Sequence, residues 1–133
     1  LELILSKGYK RTYSAYVTDG HIASRLINTE ELKEFDAVFV SGGDSAVLCR
    51  EMVRTGFGCA IEQAVNAGLV YVGISAGSMY AAGNLEEGLN IIPNPIIPHW
   101  NGDKLTSLLI GSEEIKLADG QTIYVEGYNI CLI

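Results

Sequence analysis

The chain has 133 residues, enough for one domain with a real core, and its 48% hydrophobic and 19% charged content is that of an ordinary globular protein. Nine basic residues against sixteen acidic ones give a net charge of -7, and Lys and Arg form no stripe, which argues against a nucleic-acid partner. Apolar runs such as residues 69–72 are far too short to cross a bilayer, so no membrane span is expected.

Residues 1–8 place Leu1, Leu3, Ile4 and Leu5 on a helix-like pattern that stops at Gly8. No signal-peptide pattern opens the chain. Its first residue is Leu1 rather than Met, and the opening reads as mid-helix, so the expected N-terminus lies outside this sequence, with any targeting information. Residues 11–18 alternate and predict a strand, and Asp19-Gly20 a turn. Residues 29–35 suggest a short helix with Asn28 as N-cap.

Residues 36–40 are a short, valine-rich run stopped by Gly42-Gly43, the pattern of a buried strand. Asp44 or Ser45 then caps a helix through Arg54, ended by Gly56. A second helix runs from about Gly58 to Ala67 and stops at Gly68. Residues 69–74 form another buried strand, followed at once by a helix over 76–82. This alternation predicts βαβ units and a parallel sheet covered on both faces. Beyond it, Pro93, Pro95 and Pro98 keep their segment extended and out of any central strand. A helix over 101–109 is expected, then strands at 115–117, 122–125 and 130–133 with turns at Asp119-Gly120 and Glu126-Gly127. With no repeats or low-complexity tracts, one domain over residues 1–133 is the expectation.

Chemistry concentrates at Gly73-Ile74-Ser75-Ala76-Gly77, a G-x-S-x-G nucleophile elbow in its strand–turn–helix context. A sharp turn there pushes the Ser75 hydroxyl out of the backbone, and small neighbours let the chain bend. The positive helix start beneath favours negative charge developing on a substrate oxygen. The bland reading is a glycine-rich turn that serves packing or phosphate binding. A second glycine turn, Ser41-Gly42-Gly43-Asp44, would lie at the same end of a parallel sheet. An N–H of Gly43 or Asp44 could join that of Ala76 in holding an oxyanion.

A serine elbow usually needs a base, and His99 is the better of the two histidines. It lies in Ile97-Pro98-His99-Trp100-Asn101, where Pro98 stiffens the approach and Trp100 can pack. His21 reads as a solvated loop residue. Asp119 is the first candidate for the acid that orients the base, against Glu86, Glu87 and Glu126, although most turn aspartates bond only their own backbone. Cys49, Cys59 and Cys131 are odd in number and lack metal-like spacing, which favours a reducing, cytoplasmic compartment. Cys49 and Cys59 read as small core residues.

These pieces in this order resemble the dipeptidase E family, which includes alpha-aspartyl dipeptidase and, more distantly, cyanophycinase. The match is carried by Val38-Phe39-Val40-Ser41-Gly42-Gly43-Asp44, then Ala64, Asn66-Ala67-Gly68 and the Ser75 elbow. It continues through Gly88-Leu89-Asn90-Ile91-Ile92 to Pro98-His99-Trp100, and through Leu117-Ala118-Asp119-Gly120 to Thr122-Ile123-Tyr124-Val125. The resemblance implies an α/β three-layer sandwich with a mainly parallel sheet, class I glutamine amidotransferase-like and flavodoxin-like, with a short strand and hairpin tail. It implies a serine peptidase with Ser75 as nucleophile, His99 as base, Asp119 as acid, Gly43 and Ala76 as oxyanion donors, and no metal or other cofactor. In the cysteine-nucleophile relatives of that fold, the position of Ser75 is a cysteine. The implied substrates are small peptides, aspartyl dipeptides among them.

Family members carry a further strand and helical segment before the region matching Leu1, and a longer loop where this chain has residues 83–88. A catalytically silent binding or structural relative is therefore weighed against the peptidase, as is an esterase or acyltransferase using the same serine. Arg50, Arg54, Lys104 and Lys116 are candidate partners for an acidic substrate group, and none is assigned. A homodimer is left open.

Overall fold

The structure, a computed structural model, describes residues 17–18, 21–22, 29–108 and 114–133. The helix expected over 1–8, the Asp19-Gly20 turn, the Asn28 cap and most of the strand expected over 11–18 lie outside the described residues. Strand β1 (Val17–Thr18) pairs antiparallel with β2 (His21–Ile22), so the backbone of His21 belongs to a strand rather than a loop.

Helix α1 (Thr29–Leu32) is shorter than its sequence pattern, because the N–H groups of Glu34 and Phe35 bond three residues back and close a turn instead. Strand β3 (Ala37–Val40) follows, then α2 (Ser45–Thr55) and α3 (Phe57–Asn66). Asp44 caps α2: its Oδ1 accepts from the N–H groups of Ala46 and Val47, each at 2.9 Å, satisfying two donors a helix start leaves orphaned. Gly56 ends α2 at φ 71°, a left-handed conformation that costs glycine nothing. Strand β4 (Val70–Gly73) then runs parallel to β3, with Val38 opposite Tyr71 and Val40 opposite Gly73, and leads into α4 (Ala76–Ala81).

One core gathers Leu32, Val40, Met52, Ile61, Ala64, Leu69 and Tyr80, joining the helices to one face of the β3–β4 pair. Tyr80 is wholly enclosed, and that burial pushes its phenol up to about 12. The opposite face is open: Phe39, Val70, Val72 and Ile74 are exposed. Coverage of both faces, as the continuous apolar pattern predicts, is therefore not found among the described residues.

The tail contains β5 (Ile96–Ile97), parallel to β6 (Ile115–Lys116), and a hairpin of β7 (Ile123–Glu126) with β8 (Asn129–Leu132). Gly127 opens the two-residue hairpin loop at φ 58°, as primed turns require. Ala82, Ile92, Ile96 and Ile115 form a second core under this tail.

Three expectations are corrected here. The described strands form four separate pairs, two parallel and two antiparallel, rather than one mainly parallel sheet. Prolines 93, 95 and 98 supply no N–H, which limits this stretch to a two-residue strand. Residues 101–108 are not helical. The Leu105 backbone is instead engaged on both sides by Gln121, whose Oε1 accepts from Leu105 N–H at 3.1 Å while its Nε2 donates to Leu105 O at 2.7 Å. Cys59 is exposed rather than buried, as is Cys131, and all three cysteines are free thiols.

Candidate active site

The elbow is built by close approach of backbone to backbone. Ile74 N–H makes the last rung to Val40 O at 3.0 Å, and Gly77 N–H returns to Ile74 O at 2.9 Å, so the chain reverses direction over Ser75 and Ala76. A Cβ on Gly77 would collide with the Val40 carbonyl oxygen, and one on Gly73 would lie 2.6 Å from Gly77 O. Both glycines of the motif are thus required by packing. Tyr71 OH donates to Gly77 O at 2.8 Å and Ser78 Oγ donates to Gly73 O at 3.0 Å, bonds that tie strand end to helix start. Burial holds the Tyr71 phenol protonated far above the usual range, so it stays a donor.

Ser75 itself is held at φ 55°, ψ -115°, a conformation L-residues rarely adopt and one that stores on the order of 1–3 kcal/mol. Its Oγ makes no hydrogen bond among the described residues. Only two other non-glycine residues have positive φ among those described, and one is His99, at 56°.

His99 Nδ1 lies 2.8 Å from Asp119 Oδ1. The contact suits the ring tautomer in which Nδ1 donates to the carboxylate and Nε2 is left as the acceptor. Both side chains are largely exposed, so the contact orients the ring more than it stabilises the fold. Asp119 is held in a turn in which Gln121 N–H bonds Ala118 O at 3.1 Å and Gly120 takes φ 84°, the conformation a type II turn demands at that position. The next residue after the histidine, Trp100, donates its N–H to Leu117 O at 3.1 Å, and Lys116 Nζ stands 4.7 Å from its ring centroid.

Ser75, His99 and Asp119 line one cavity of about 1050 Å³. No hydrogen bond joins Ser75 to His99 among the described residues. Ala76 follows Ser75 in the chain and opens α4, and Gly43, at φ 140°, follows Gly42, the residue that stands against Ser75. Of the other acids considered for the His99 partner, Glu126 lines the cavity, whereas Glu86 and Glu87 are exposed elsewhere. Arg50 and Arg54 face Glu51, with Arg54 Nη2 at 2.6 Å from its Oε2. Neither they nor Lys104 and Lys116 line the cavity. No cluster that could hold a metal occurs among the described residues, and no described helix is long and apolar enough to cross a membrane.

The sequence pattern does not single out Tyr71 or Gln121, each of which acts through a side-chain bond to backbone, at Gly77 and at Leu105.

Comparison with known proteins places this chain in a family. The chain is 40% identical over 82 residues to a peptidase E of Streptomyces coelicolor, covering 52% of this chain and 34% of that one. It is 30% identical over 89 residues to an uncharacterized peptidase of Pasteurella multocida, covering 54% and 43%. A solved protein of Listeria monocytogenes, provisionally named a peptidase E, shares the fold with a TM-score of 0.63 at 22% identity, covering 79% of this chain and 62% of that one. The chain thus spans between about a third and two thirds of the length of these relatives. The sequence model of peptidase family S51 matches residues 20–133. On that match, the chain belongs to peptidase family S51.

Proposed function

We propose that the chain is a serine-type peptidase that cleaves small peptides through an acyl-enzyme on Ser75. The observation that carries this reading is the strained Ser75 elbow, opening into the same cavity as the His99–Asp119 pair. In the proposed sequence, His99 Nε2 takes the Ser75 proton as Oγ attacks the scissile carbonyl carbon. Asp119 stabilises the imidazolium, and the N–H groups of Gly43 and Ala76 receive the oxyanion. His99 then returns the proton to the leaving amine, and water, activated by the same base, releases the acid product. No metal is required by any of these steps.

Aspartyl dipeptides are the proposed substrates by resemblance alone. No Lys or Arg lines the cavity among the described residues to meet an aspartate side chain. The proposed setting is a single domain, a three-layer sandwich in the cytoplasm. Likeness to the Listeria structure supports the sandwich, as do the exposed Phe39, Val70, Val72 and Ile74, which suit a layer on that face. The absence of a hydrogen bond between Ser75 and His99 among the described residues supports a second reading, a catalytically silent relative.

A panel of dipeptides differing in N-terminal residue, with Ser75→Ala as control, tests the proposal. Hydrolysis that vanishes in the variant is expected. Hydrolysis of simple esters without any dipeptide cleavage would indicate an esterase, and no hydrolysis at all would favour the silent relative.

A further inference from the structure

On leaving α4 the chain turns extended at Ala82 and runs beside the segment that ends in His99. Ile91 N–H donates to Ala81 O at 2.8 Å, Ala82 bridges Ile92 in parallel fashion, and Gly83 N–H reaches Asn94 O at 3.4 Å. Gly83 is pressed so closely on this segment that an added Cβ would collide with the Pro93 carbonyl oxygen. Pro95 then offers no N–H, and the next rung is made by a side chain. Asn84 Oδ1 accepts from Ile96 N–H at 2.7 Å, and Asn84 Nδ2 donates to Ile96 O at 2.9 Å.

The register explains why a side chain is needed. On the other edge of β5, strand β6 bonds residues 95 and 97: Ile115 N–H donates to Pro95 O and Leu117 N–H to Ile97 O. The polar groups of Ile96 therefore point away from β6, and Ile96 is buried, where an unpaired N–H or C=O is costly. A carboxamide matches both with one acceptor and one donor. Aspartate would match only the N–H, and an apolar residue neither.

We infer that Asn84 is a positioning residue for the candidate catalytic pair. It lies three residues past α4, the helix that begins beside Ser75, and grips the residue three before His99. Its carboxamide thus fixes how far the serine's helix stands from the strand that delivers the imidazole. This inference rests on the serine-peptidase reading.

The test follows labelling of the full chain by a fluorophosphonate probe, recording both the rate constant at saturating probe and the final extent. A base displaced by about 1 Å slows attack by about 100-fold at most while every molecule still reacts. A folding defect lowers the final extent and leaves the rate of the folded fraction alone. Asn84→Ala is expected to label to full extent about 10- to 100-fold more slowly, with the half-saturating probe concentration unchanged. Asn84→Asp, which keeps the bond to Ile96 N–H, is expected to fall between it and wild type. Wild-type rates in both variants, or a loss confined to final extent, overturn the inference. Should Asn84→Ala fail to fold, Asn84→Asp decides alone. Wild-type protein that does not label, or Ser75→Ala that does, defeats the serine reading itself, and the inference falls with it.

Discussion

Gly42 stands directly against Ser75: a methyl group added at Gly42 would lie 3.0 Å from Ser75 Cβ and 3.3 Å from its Oγ. The glycine turn after β3 thus forms one wall of the space in which the serine hydroxyl moves. Gly42 does not have a positive φ, so alanine is allowed there by the backbone and excluded only by this contact. Gly42→Ala is predicted to lower kcat about 10- to 100-fold by displacing Oγ, with little change in melting temperature. Steady-state kinetics alongside thermal unfolding would show whether the two effects separate in this way.

The contact between His99 and Asp119 yields a different expectation. An amide at position 119 can turn its NH₂ toward Nδ1 and hold the ring in the tautomer that places the proton on Nε2, where the base must be free. Asp119→Asn should therefore reduce kcat by about 100-fold or more, whereas Glu86→Gln and Glu87→Gln should leave it unchanged. Equal losses in all three variants would mean that charge, not this contact, is responsible.

Packing at the elbow predicts a stability effect of unusual size for one methyl group. Gly77→Ala drives a Cβ into the Val40 carbonyl oxygen, which is backbone and cannot rotate away. A cost near the upper end of overpacking, about 3 kcal/mol, is expected in urea titration.

Glu51 gives a pH dependence. Its buried carboxylate is held below the ordinary value of 4.5, chiefly by the hydrogen bond from Arg54 Nε at 2.8 Å. A carboxyl group with a lowered folded value stabilises the protein above its unfolded value and loses that contribution as pH falls through the folded one. Stability should fall as pH drops below about 4.5, and Glu51→Gln should flatten that part of the profile. Melting temperatures from pH 7 to pH 3 would reveal it.

Local sequence carried the frame of this site well. Strands β3 and β4, the Asp44 cap, the Gly56 stop and the elbow each depend on a few adjacent residues, and each lies within a residue or two of its expected place. Residues 101–108 failed because Gln121, distant in sequence, takes both polar groups of Leu105. Among four candidate carboxylates Asp119 stood first in the sequence, and the three-dimensional path of the tail brings it to 2.8 Å from His99. The two-faced coverage expected of the valine-rich strands likewise depends on what lies across the sheet, which strand composition cannot specify.

Intact-mass and peptide-level mass spectrometry after treatment with a fluorophosphonate probe addresses the nucleophile most directly. One phosphonyl group on the peptide containing Ser75, absent in Ser75→Ala and strongly slowed in His99→Ala, is the predicted result. Unmodified wild-type protein, or modification that persists undiminished in Ser75→Ala, would contradict a serine nucleophile at this elbow.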